Sequence, residues 1–170
     1  RAFGSGSHES TAGCLLSLLY LSKIISPKRV MDLGCGSGIL SIASVKLWPS
    51  VKTLALDIDY DAVETTLENI KVNKVWRQVR CEHSNGFPRV RPGTSKKYDL
   101  IVANILAQPL VALAPHSTSF LRSGGYIVLS GLLETQEREI LAVYNSLGFR
   151  IVSRKRLKEW TTFILKYKRT

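Results

Sequence analysis

The sequence predicts an α/β fold, a three-layer sandwich built on a mainly parallel sheet. Short apolar runs bounded by turn residues alternate five times with segments of helical periodicity, and two strand-like segments joined by a short connection end the chain. Crossover helices make the alternating strands parallel, whereas the short final connection makes the last strand antiparallel. At 170 residues the chain has room for one domain, residues 1–170.

The first predicted helix covers residues 11–25, where apolar side chains recur near helical spacing. Ser10 or Thr11 can act as its N-cap, and Pro27 is expected to end it. The first predicted strand, residues 29–34, is a short apolar run that leads into a glycine turn.

The next three elements continue the alternation. Residues 39–48 have helical character up to Pro49, and residues 51–57 form the second predicted strand. Asp59 can cap the helix that follows, because its side chain can accept a hydrogen bond from a backbone amide of the first turn. Apolar residues of that helix fall at i, i+4 and i+7, at Val63, Leu67 and Ile70.

The second half of the chain repeats the pattern. The remaining predicted strands are residues 78–83, 98–103, 126–130, 150–156 and 160–167, and the remaining predicted helices are residues 109–121 and 134–147. Residues 84–97 contain two glycines and two prolines, which predicts a loop. Gly124 and Gly125 are expected to turn into the fifth strand, and Gly148 to terminate the last helix.

The composition is that of a globular domain, with 45% apolar and 22% charged residues. The longest apolar stretch, residues 15–25, is interrupted by polar side chains and is too short for a bilayer helix. Cys14, Cys35 and Cys81 are too few and too scattered for a disulfide framework or a zinc site, which favours a reducing compartment. Because residue 1 is Arg1 and not methionine, we expect the sequence to begin inside a longer protein.

Positive charge is concentrated in one part of the chain. The formal net charge is +11, from 24 basic and 13 acidic residues. Residues 1–70 carry 6 basic and 7 acidic residues, whereas residues 71–170 carry 18 and 6. Contact with an anionic partner and solubility are both compatible with this distribution.

A glycine-rich turn follows the first predicted strand, in the sequence Asp32-Leu-Gly34-Cys-Gly36-Ser-Gly38. The dinucleotide fingerprint G-x-G-x-x-G would require a glycine at position 39, which is isoleucine, so a dehydrogenase is disfavoured. The pattern resembles the first motif of class I S-adenosylmethionine-dependent methyltransferases, which wraps the methionine end of the cofactor.

Acidic side chains at two strand ends have separate predicted roles. Asp57 lies 19 residues after Gly38, where a carboxylate can accept hydrogen bonds from both ribose hydroxyls. Asp59 is interpreted as a helix N-cap. Asp32 can hold the glycine loop or the cofactor's amino group, and a purely structural role is an equal alternative.

Four stretches together resemble one family, the PrmA-type methyltransferases, which modify the eleventh protein of the large ribosomal subunit. They are Ala-Phe-Gly-Ser-Gly-Ser-His-Glu-Ser-Thr at 2–11, Asp-Leu-Gly-Cys-Gly-Ser-Gly-Ile-Leu-Ser-Ile-Ala at 32–43, Leu-Asp-Ile-Asp at 56–59 and Val-Ala-Asn-Ile-Leu-Ala at 102–107. The resemblance covers essentially the whole chain. Its amino-terminal motif is highly specific, because generic class I enzymes lack it. It implies a Rossmann-like class I methyltransferase fold with a seven-stranded, mainly parallel sheet whose last strand is antiparallel.

The resemblance also implies a set of site residues. Family members bind S-adenosyl-L-methionine through positions that correspond here to Thr11, Gly34, Asp57 and Asn104. We add Gly36, Asp32 and Phe3 to the predicted cofactor-binding set, and we expect Gly4 and His8 to border the same pocket. For His8 alone, a local hydrogen-bonding role is the preferred interpretation. The catalytic assignment is Asn104.

The chain departs from the family pattern at several positions. Serines stand at Ser5, Ser7 and Ser10 where family members usually carry threonine, and Tyr60 stands where they often carry proline. The hydroxyl is retained at the serines. The basic loop 84–97 does not align, so the adenine contacts are left unassigned.

The turn at Asn104 favours an aliphatic amine as the methyl acceptor. Its side-chain carbonyl can accept a hydrogen from the amine and direct the lone pair. Adenine-amine methyltransferases have N-P-P-Y here, whose ring stacks on a flipped base, whereas this chain has Asn-Ile-Leu-Ala. The alternative for Asn104 is a turn former with no chemical role.

We therefore predict a cytoplasmic, monomeric protein N-methyltransferase acting on lysine and/or α-amino groups of a large-subunit ribosomal protein, with transient contact to ribosomal RNA. The alternatives are an RNA methyltransferase and a cofactor-binding module without activity. The family has an additional amino-terminal substrate-recognition domain. We expect that domain to lie outside residues 1–170, and the chain to bind cofactor but to methylate its target poorly.

Overall fold

A computed structural model describes residues 8–90 and 96–169 of the chain. Its strands are β1 Arg29–Leu33, β2 Lys52–Asp57, β3 Val79–His83, β4 Tyr98–Asn104, β5 Leu121–Leu133, β6 Phe149–Leu157 and β7 Trp160–Tyr167. Its helices are α1 His8–Leu21, α2 Ile39–Leu47, α3 Tyr60–Val72, α4 Ala107–Phe120 and α5 Glu137–Ser146, with a 3₁₀ turn at Glu134–Gln136. Within the described residues, no helix is long and apolar enough to span a membrane. The predicted pocket residue Phe3, with Gly4, lies outside the described residues.

The strands form one seven-stranded sheet in the order β3-β2-β1-β4-β5-β7-β6. Neighbouring strands from β3 to β5 pair in parallel, and β7 pairs antiparallel with both β5 and β6. The predicted three-layer sandwich with an antiparallel last strand is therefore confirmed.

Successive strand residues supply two separate apolar layers. On one face, Met31 of β1 and Ile101 of β4 pack with side chains from α4 and α5. On the other face, Val30 and Leu100 pack with side chains from α1, α2 and α3. Both faces of the central strands are covered, as expected for a parallel sheet joined by helical crossovers.

The first helix begins and ends earlier than its sequence pattern predicts. It starts at His8 and ends at Leu21, so Pro27 does not terminate it. The chain tightens at its end through the i−3 hydrogen bond from Ile24 N to Leu21 O, of 3.0 Å. The indole of Trp48 then donates to Ile25 O at 3.1 Å, which holds the chain between α1 and β1.

The fifth strand is longer than predicted because its glycines lie inside it. β5 begins at Leu121, and the register with β4 shifts between Tyr98 and Leu100. Gly124 has φ of 85°, which a glycine adopts readily. Gly124 and Gly125 therefore accommodate an irregularity inside β5 and do not form the predicted turn that precedes the strand.

Helix α3 is rotated relative to the predicted apolar face. Leu67 is 49% exposed, whereas Thr66 is fully buried. The Thr66 hydroxyl donates to Gly36 O at 2.9 Å, so the helix faces the glycine loop with a polar side chain. The predicted N-cap is confirmed, since the Asp59 side chain accepts from Asp61 N at 2.9 Å.

Candidate active site

The carboxyl ends of the parallel strands meet around one cavity of about 480 Å³. It is lined by Leu33, Gly34, Gly36, Leu56, Asp57, Ile58, Asp59, Ser84, Asn85, Gly86, Asn104, Ile105, Leu106, Pro109, Ala112 and Leu113. Four predicted site residues, namely Gly34, Gly36, Asp57 and Asn104, are thus brought together. The sequence stretches that follow β1, β2, β3 and β4 contribute to the same cavity, as the parallel topology requires.

Asp57 connects the glycine loop to the start of α3. One carboxylate oxygen accepts from Gly36 N and the other from Asp59 N, both at 2.9 Å. Each oxygen retains a lone pair beyond these bonds, and the residue lines the cavity. The side chain therefore combines a structural role with the capacity to bind hydroxyl groups of a ligand.

The glycine loop lies against the end of β2. Gly34 N and Cys35 N both donate to Leu56 O, at 2.8 and 3.0 Å. Gly36 has φ of 57°, and a Cβ added there would meet no atom within 4 Å, because the position faces open space. Backbone atoms of Gly36 can therefore approach a ligand closely.

Asp32 is almost completely buried, with 1% of its surface exposed. One carboxylate oxygen accepts from the Ser41 hydroxyl at 2.6 Å, and the other has no partner among the described residues. Burial raises the pKa of Asp32 to about 6. Because Asp32 is not among the residues lining the cavity, its geometry favours the structural alternative, and cofactor binding by Asp32 stays a prediction.

The buried Asp32 predicts a pH-dependent loss of stability. The pKa of Asp32 is higher in the folded state than in the unfolded state, so the protonated carboxyl favours folding. The contribution of Asp32 to the free energy of unfolding is therefore fully present below about pH 4 and is lost as the pH rises through about 6. We expect the unfolding free energy of wild type, relative to Asp32→Asn, to fall by about 3 kcal/mol over that window. Urea titrations of both proteins across the window measure this difference, and parallel pH curves would contradict the prediction.

Asn104 lies at the end of β4, and only the nitrogen of its side-chain amide has a hydrogen-bond partner among the described residues. Its Nδ2 donates to Thr11 Oγ1 at 3.4 Å, which places α1 beside the turn. The carbonyl oxygen Oδ1 is buried and has no partner among the described residues. A buried acceptor without a partner is uncommon and marks a place where a ligand's donor would be stabilised.

The amino end of α1 is fastened by residues that the sequence did not single out. The Ser130 hydroxyl donates to Ser10 O at 3.1 Å and lies 2.8 Å from the Thr162 hydroxyl. Gly13 packs so closely on Thr162 that an added Cβ would lie 2.1 Å from its Oγ1. These contacts between distant segments fix Thr11 next to Asn104.

A ring stack lies next in sequence to the lining residues Asp59 and Ser84. The rings of Tyr60 and His83 stack with centroids 3.8 Å apart, and His83 Nε2 lies 2.8 Å from Ile58 O. Tyr60 stands at one of the departures from the family pattern. His8 is exposed at the start of α1 and is not a lining residue.

The fold and site together define a class. A parallel sheet ending in a reversed strand, with a glycine loop and an acid at the carboxyl edge, is the Rossmann-like fold of class I methyltransferases. A methyltransferase from Pyrococcus furiosus superposes with a TM-score of 0.71 at 18% identity, covering 91% of this chain and 82% of that one, which shows the fold alone. A ribosomal protein L11 methylase from Lactobacillus delbrueckii subsp. bulgaricus superposes with a TM-score of 0.84 at 29% identity, covering 96% of this chain and 81% of that one.

Sequence comparison then identifies the family. Residues 1–168 match the family model described as ribosomal protein L11 methyltransferase (PrmA). Two curated relatives with that description, from a Caulobacter species and Mesorhizobium japonicum, are 39% and 40% identical over 96% and 98% of this chain. The chain belongs to the ribosomal protein L11 methyltransferase family, which confirms the resemblance. It spans 56% and 57% of the length of these relatives.

Proposed function

We propose that residues 1–170 form the catalytic domain of an S-adenosyl-L-methionine-dependent protein N-methyltransferase. The substrate we propose is the large-subunit ribosomal protein L11, modified on lysine side chains and/or its α-amino group. Family membership supports the reaction class and the substrate. The structural observation that carries the proposal is the buried, unpartnered carbonyl oxygen of Asn104 at the edge of the cavity.

The cavity suits the proposed cofactor. Its volume of about 480 Å³ lies within the range of small-molecule sites. Asp57 offers carboxylate oxygens to ribose hydroxyls, Gly34 and Gly36 allow close backbone approach, and Thr11 lies beside Asn104. Bound there, S-adenosyl-L-methionine supplies an electrophilic methyl group on its sulfonium.

The chain's own residues would prepare the acceptor amine. A lysine amine has a pKa of about 10.4 and an α-amino group about 8, so either must lose a proton before it attacks. Partly buried apolar lining residues, Ile105 and Leu113 among them, shield part of the cavity from water and favour the neutral amine. Asn104 Oδ1 accepts one amine hydrogen and thereby orients the nitrogen lone pair. No general base is assigned.

Methylation of a nucleobase is not favoured. The residues after Asn104 are Ile105 and Leu106, and neither offers a ring for base stacking. The relatives that match over most of the chain are described as ribosomal protein methyltransferases. The third alternative, a module without activity, is opposed by the presence of the expected residues at all four family positions.

We further propose a cytoplasmic, monomeric enzyme that contacts ribosomal RNA transiently. A ribosomal protein substrate supports the compartment. The edge strand β6 supports the RNA contact, because it exposes basic side chains that include Arg150, Arg154 and Lys155. Such contact would weaken steeply with added salt.

Replacing Asp57 with alanine is expected to weaken cofactor binding more than tenfold, about 1.4 kcal/mol. The variant loses the acceptor for ribose hydroxyls and also frees the amides of Gly36 and Asp59. Isothermal titration calorimetry measures the affinity, and thermal unfolding verifies that the variant is folded. Asp61→Ala removes the same charge on the first turn of α3 without lining the cavity, so its affinity should match wild type. Unchanged affinity in Asp57→Ala would defeat the assignment.

The proposed reaction is tested with purified ribosomal protein L11 and a cofactor labelled in the transferred methyl. We expect label on lysine or on the amino terminus, located by peptide mass spectrometry, with a full-length relative as the positive control. Asp57→Ala, which should bind cofactor weakly, is expected to transfer less label at a subsaturating cofactor concentration. Label on ribosomal RNA and none on the protein would support the nucleic-acid alternative. Because we expect the chain to recognise its target weakly, the assay uses enzyme in excess of substrate. No transfer under those conditions by a chain that binds cofactor, beside an active relative, would support the module without activity.

A further inference from the structure

Two cysteines lie side by side behind the glycine loop. The sulfurs of Cys35 and Cys81 are 4.0 Å apart. Cys35 stands between Gly34 and Gly36, and Cys81 lies on the edge strand β3, 46 residues later in the chain. The proposed methyl transfer uses neither thiol.

The two thiols differ in access to solvent. Cys35 is 5% exposed, whereas Cys81 is partly exposed. Cys81 lines an open groove of about 650 Å³ between α3 and β3, together with the basic side chains of Lys71 and Arg80. A small polar oxidant can therefore reach Cys81 through this groove, while Cys35 is shielded behind it.

The two thiols also differ in acidity. The contact between the two sulfurs lowers the pKa of Cys81 and, together with burial, raises the pKa of Cys35. The third cysteine, Cys14, is fully buried, and burial raises its pKa to about 12. The thiolate is the form that reacts with oxidants, so Cys81 is the nucleophile and Cys14 is inert.

We propose that Cys35 and Cys81 form a two-cysteine oxidation site, at which a hydroperoxide converts the pair into a reversible disulfide. An accessible thiolate next to a second, resolving cysteine is the arrangement found in redox-sensing proteins. In a reducing compartment such a disulfide is transient, so the modification can act as a switch.

The chemistry takes place in two steps. The Cys81 thiolate attacks one peroxide oxygen, the O–O bond breaks, and the departing oxygen takes up a proton to leave as an alcohol, or as water from hydrogen peroxide. The Cys35 sulfur then attacks the sulfenic acid, the S–O bond breaks, and the hydroxyl leaves as water with the Cys35 proton. The two thiols lose two electrons in total, and the hydroperoxide accepts them.

The disulfide would alter the loop that faces the cavity. A sulfur–sulfur bond is about 2.05 Å long, so the two sulfurs must close by about 2 Å. Cys35 N donates to Leu56 O and Cys81 pairs with Ala55, so β2 lies between the two cysteines and the backbone of the glycine loop must also move. Cys35 also contacts the Thr66 hydroxyl at 3.4 Å, and Thr66 holds Gly36 O. Drawing Cys35 towards β3 therefore disturbs the Gly36 amide that Asp57 binds. We expect weaker cofactor affinity in the oxidised chain, an effect that rests on the proposed function.

The disulfide itself is tested without any cofactor. The reduced chain is treated with hydrogen peroxide and analysed by intact mass and by peptide mapping. We expect a loss of about 2 Da, a peptide pair joined through Cys35 and Cys81, and reversal by dithiothreitol. Cys81→Ser should abolish the mass loss, whereas Cys14→Ala should retain it. A mass loss that persists in Cys81→Ser, or a gain of oxygen at Cys81 as the main wild-type product, would overturn the proposal.

The effect on the cavity is then measured by calorimetry with S-adenosyl-L-methionine. We expect the oxidised chain to bind more than tenfold more weakly than the reduced chain, and dithiothreitol to restore the affinity. Equal affinity in a chain shown to carry the disulfide would refute the switch. A reduced chain that binds no cofactor would count against the proposed function instead, while the disulfide result would stand.

Discussion

Replacing Gly131 with alanine is expected to lower the free energy of unfolding by about 3 to 4 kcal/mol. A Cβ at this position would lie 2.2 Å from Ile105 O and 2.8 Å from Ile105 C. The residue also has φ of 89°, a conformation that costs an L-residue about 1 to 2 kcal/mol. Because the obstruction is backbone, side-chain rotation cannot relieve it. The turn that carries Asn104 must move, and methyl transfer should be lost with it.

Gly34 provides a matched comparison. A Cβ added at Gly34 would meet the side chain of Ile105, whereas a Cβ added at Gly131 would meet the backbone of Ile105. A Cβ on Gly34 would lie 2.4 Å from Ile105 Cγ2, and Gly34 has φ of 72°. Ile105→Ala removes that methyl group. We therefore expect Ile105→Ala to recover part of the stability lost in Gly34→Ala but none of that lost in Gly131→Ala.

The comparison requires urea unfolding of the three single variants and the two doubles. Double-mutant cycles then give the coupling energy of each glycine with Ile105. Equal coupling for both glycines would show that Ile105 obstructs the two positions in the same way, contrary to the contact geometry. Stability of Gly131→Ala within about 1 kcal/mol of wild type would show that the turn yields easily, and the predicted rigidity of the Asn104 turn would be wrong.

Local patterns were sufficient to predict the framework of this molecule. Apolar runs and turn residues predicted the position of every strand. The spacing from Gly38 to Asp57 predicted that the glycine loop and the acid lie at one edge of the sheet, and both line the same cavity. Such signals depend on residues close in sequence or on the topology of a parallel sheet.

The supports of the site depend on contacts between distant segments, which periodicity does not encode. Thr66 is buried, and its hydroxyl donates to Gly36 O in the glycine loop. The apolar spacing of α3 does not reveal this contact, so it wrongly predicted that Leu67 lies on the buried face of the helix. Ser130 reaches Ser10 across 120 positions, and no local pattern marks it. Gly131 illustrates the same limit, since its need for glycine arises from a carbonyl on another strand's turn.

Replacing Asn104 with alanine is expected to reduce kcat for amine methylation about 100-fold, equivalent to about 2.7 kcal/mol of transition-state stabilisation. The truncation removes the buried side-chain carbonyl of the turn, which lacks a partner within the described residues. Cofactor affinity should change less than tenfold, because Asp57 and the glycine loop remain. Rates with ribosomal protein L11 and calorimetry with the cofactor separate the two effects. Asn73→Ala, which removes an exposed amide that does not line the cavity, should match wild type in both.

A Thr11 variant tests whether Asn104 acts by orienting the amine or only by supporting the turn. Thr11→Val retains the shape of the side chain but removes the hydroxyl that accepts from Asn104 Nδ2. Asn104 Oδ1 is unchanged in this variant, so kcat should fall much less than in Asn104→Ala. A fall as large as that of Asn104→Ala would mean that the Thr11–Asn104 contact, and not the free carbonyl, supports catalysis. A loss of cofactor affinity in Asn104→Ala that matches its loss of rate would instead make Asn104 a cofactor ligand alone.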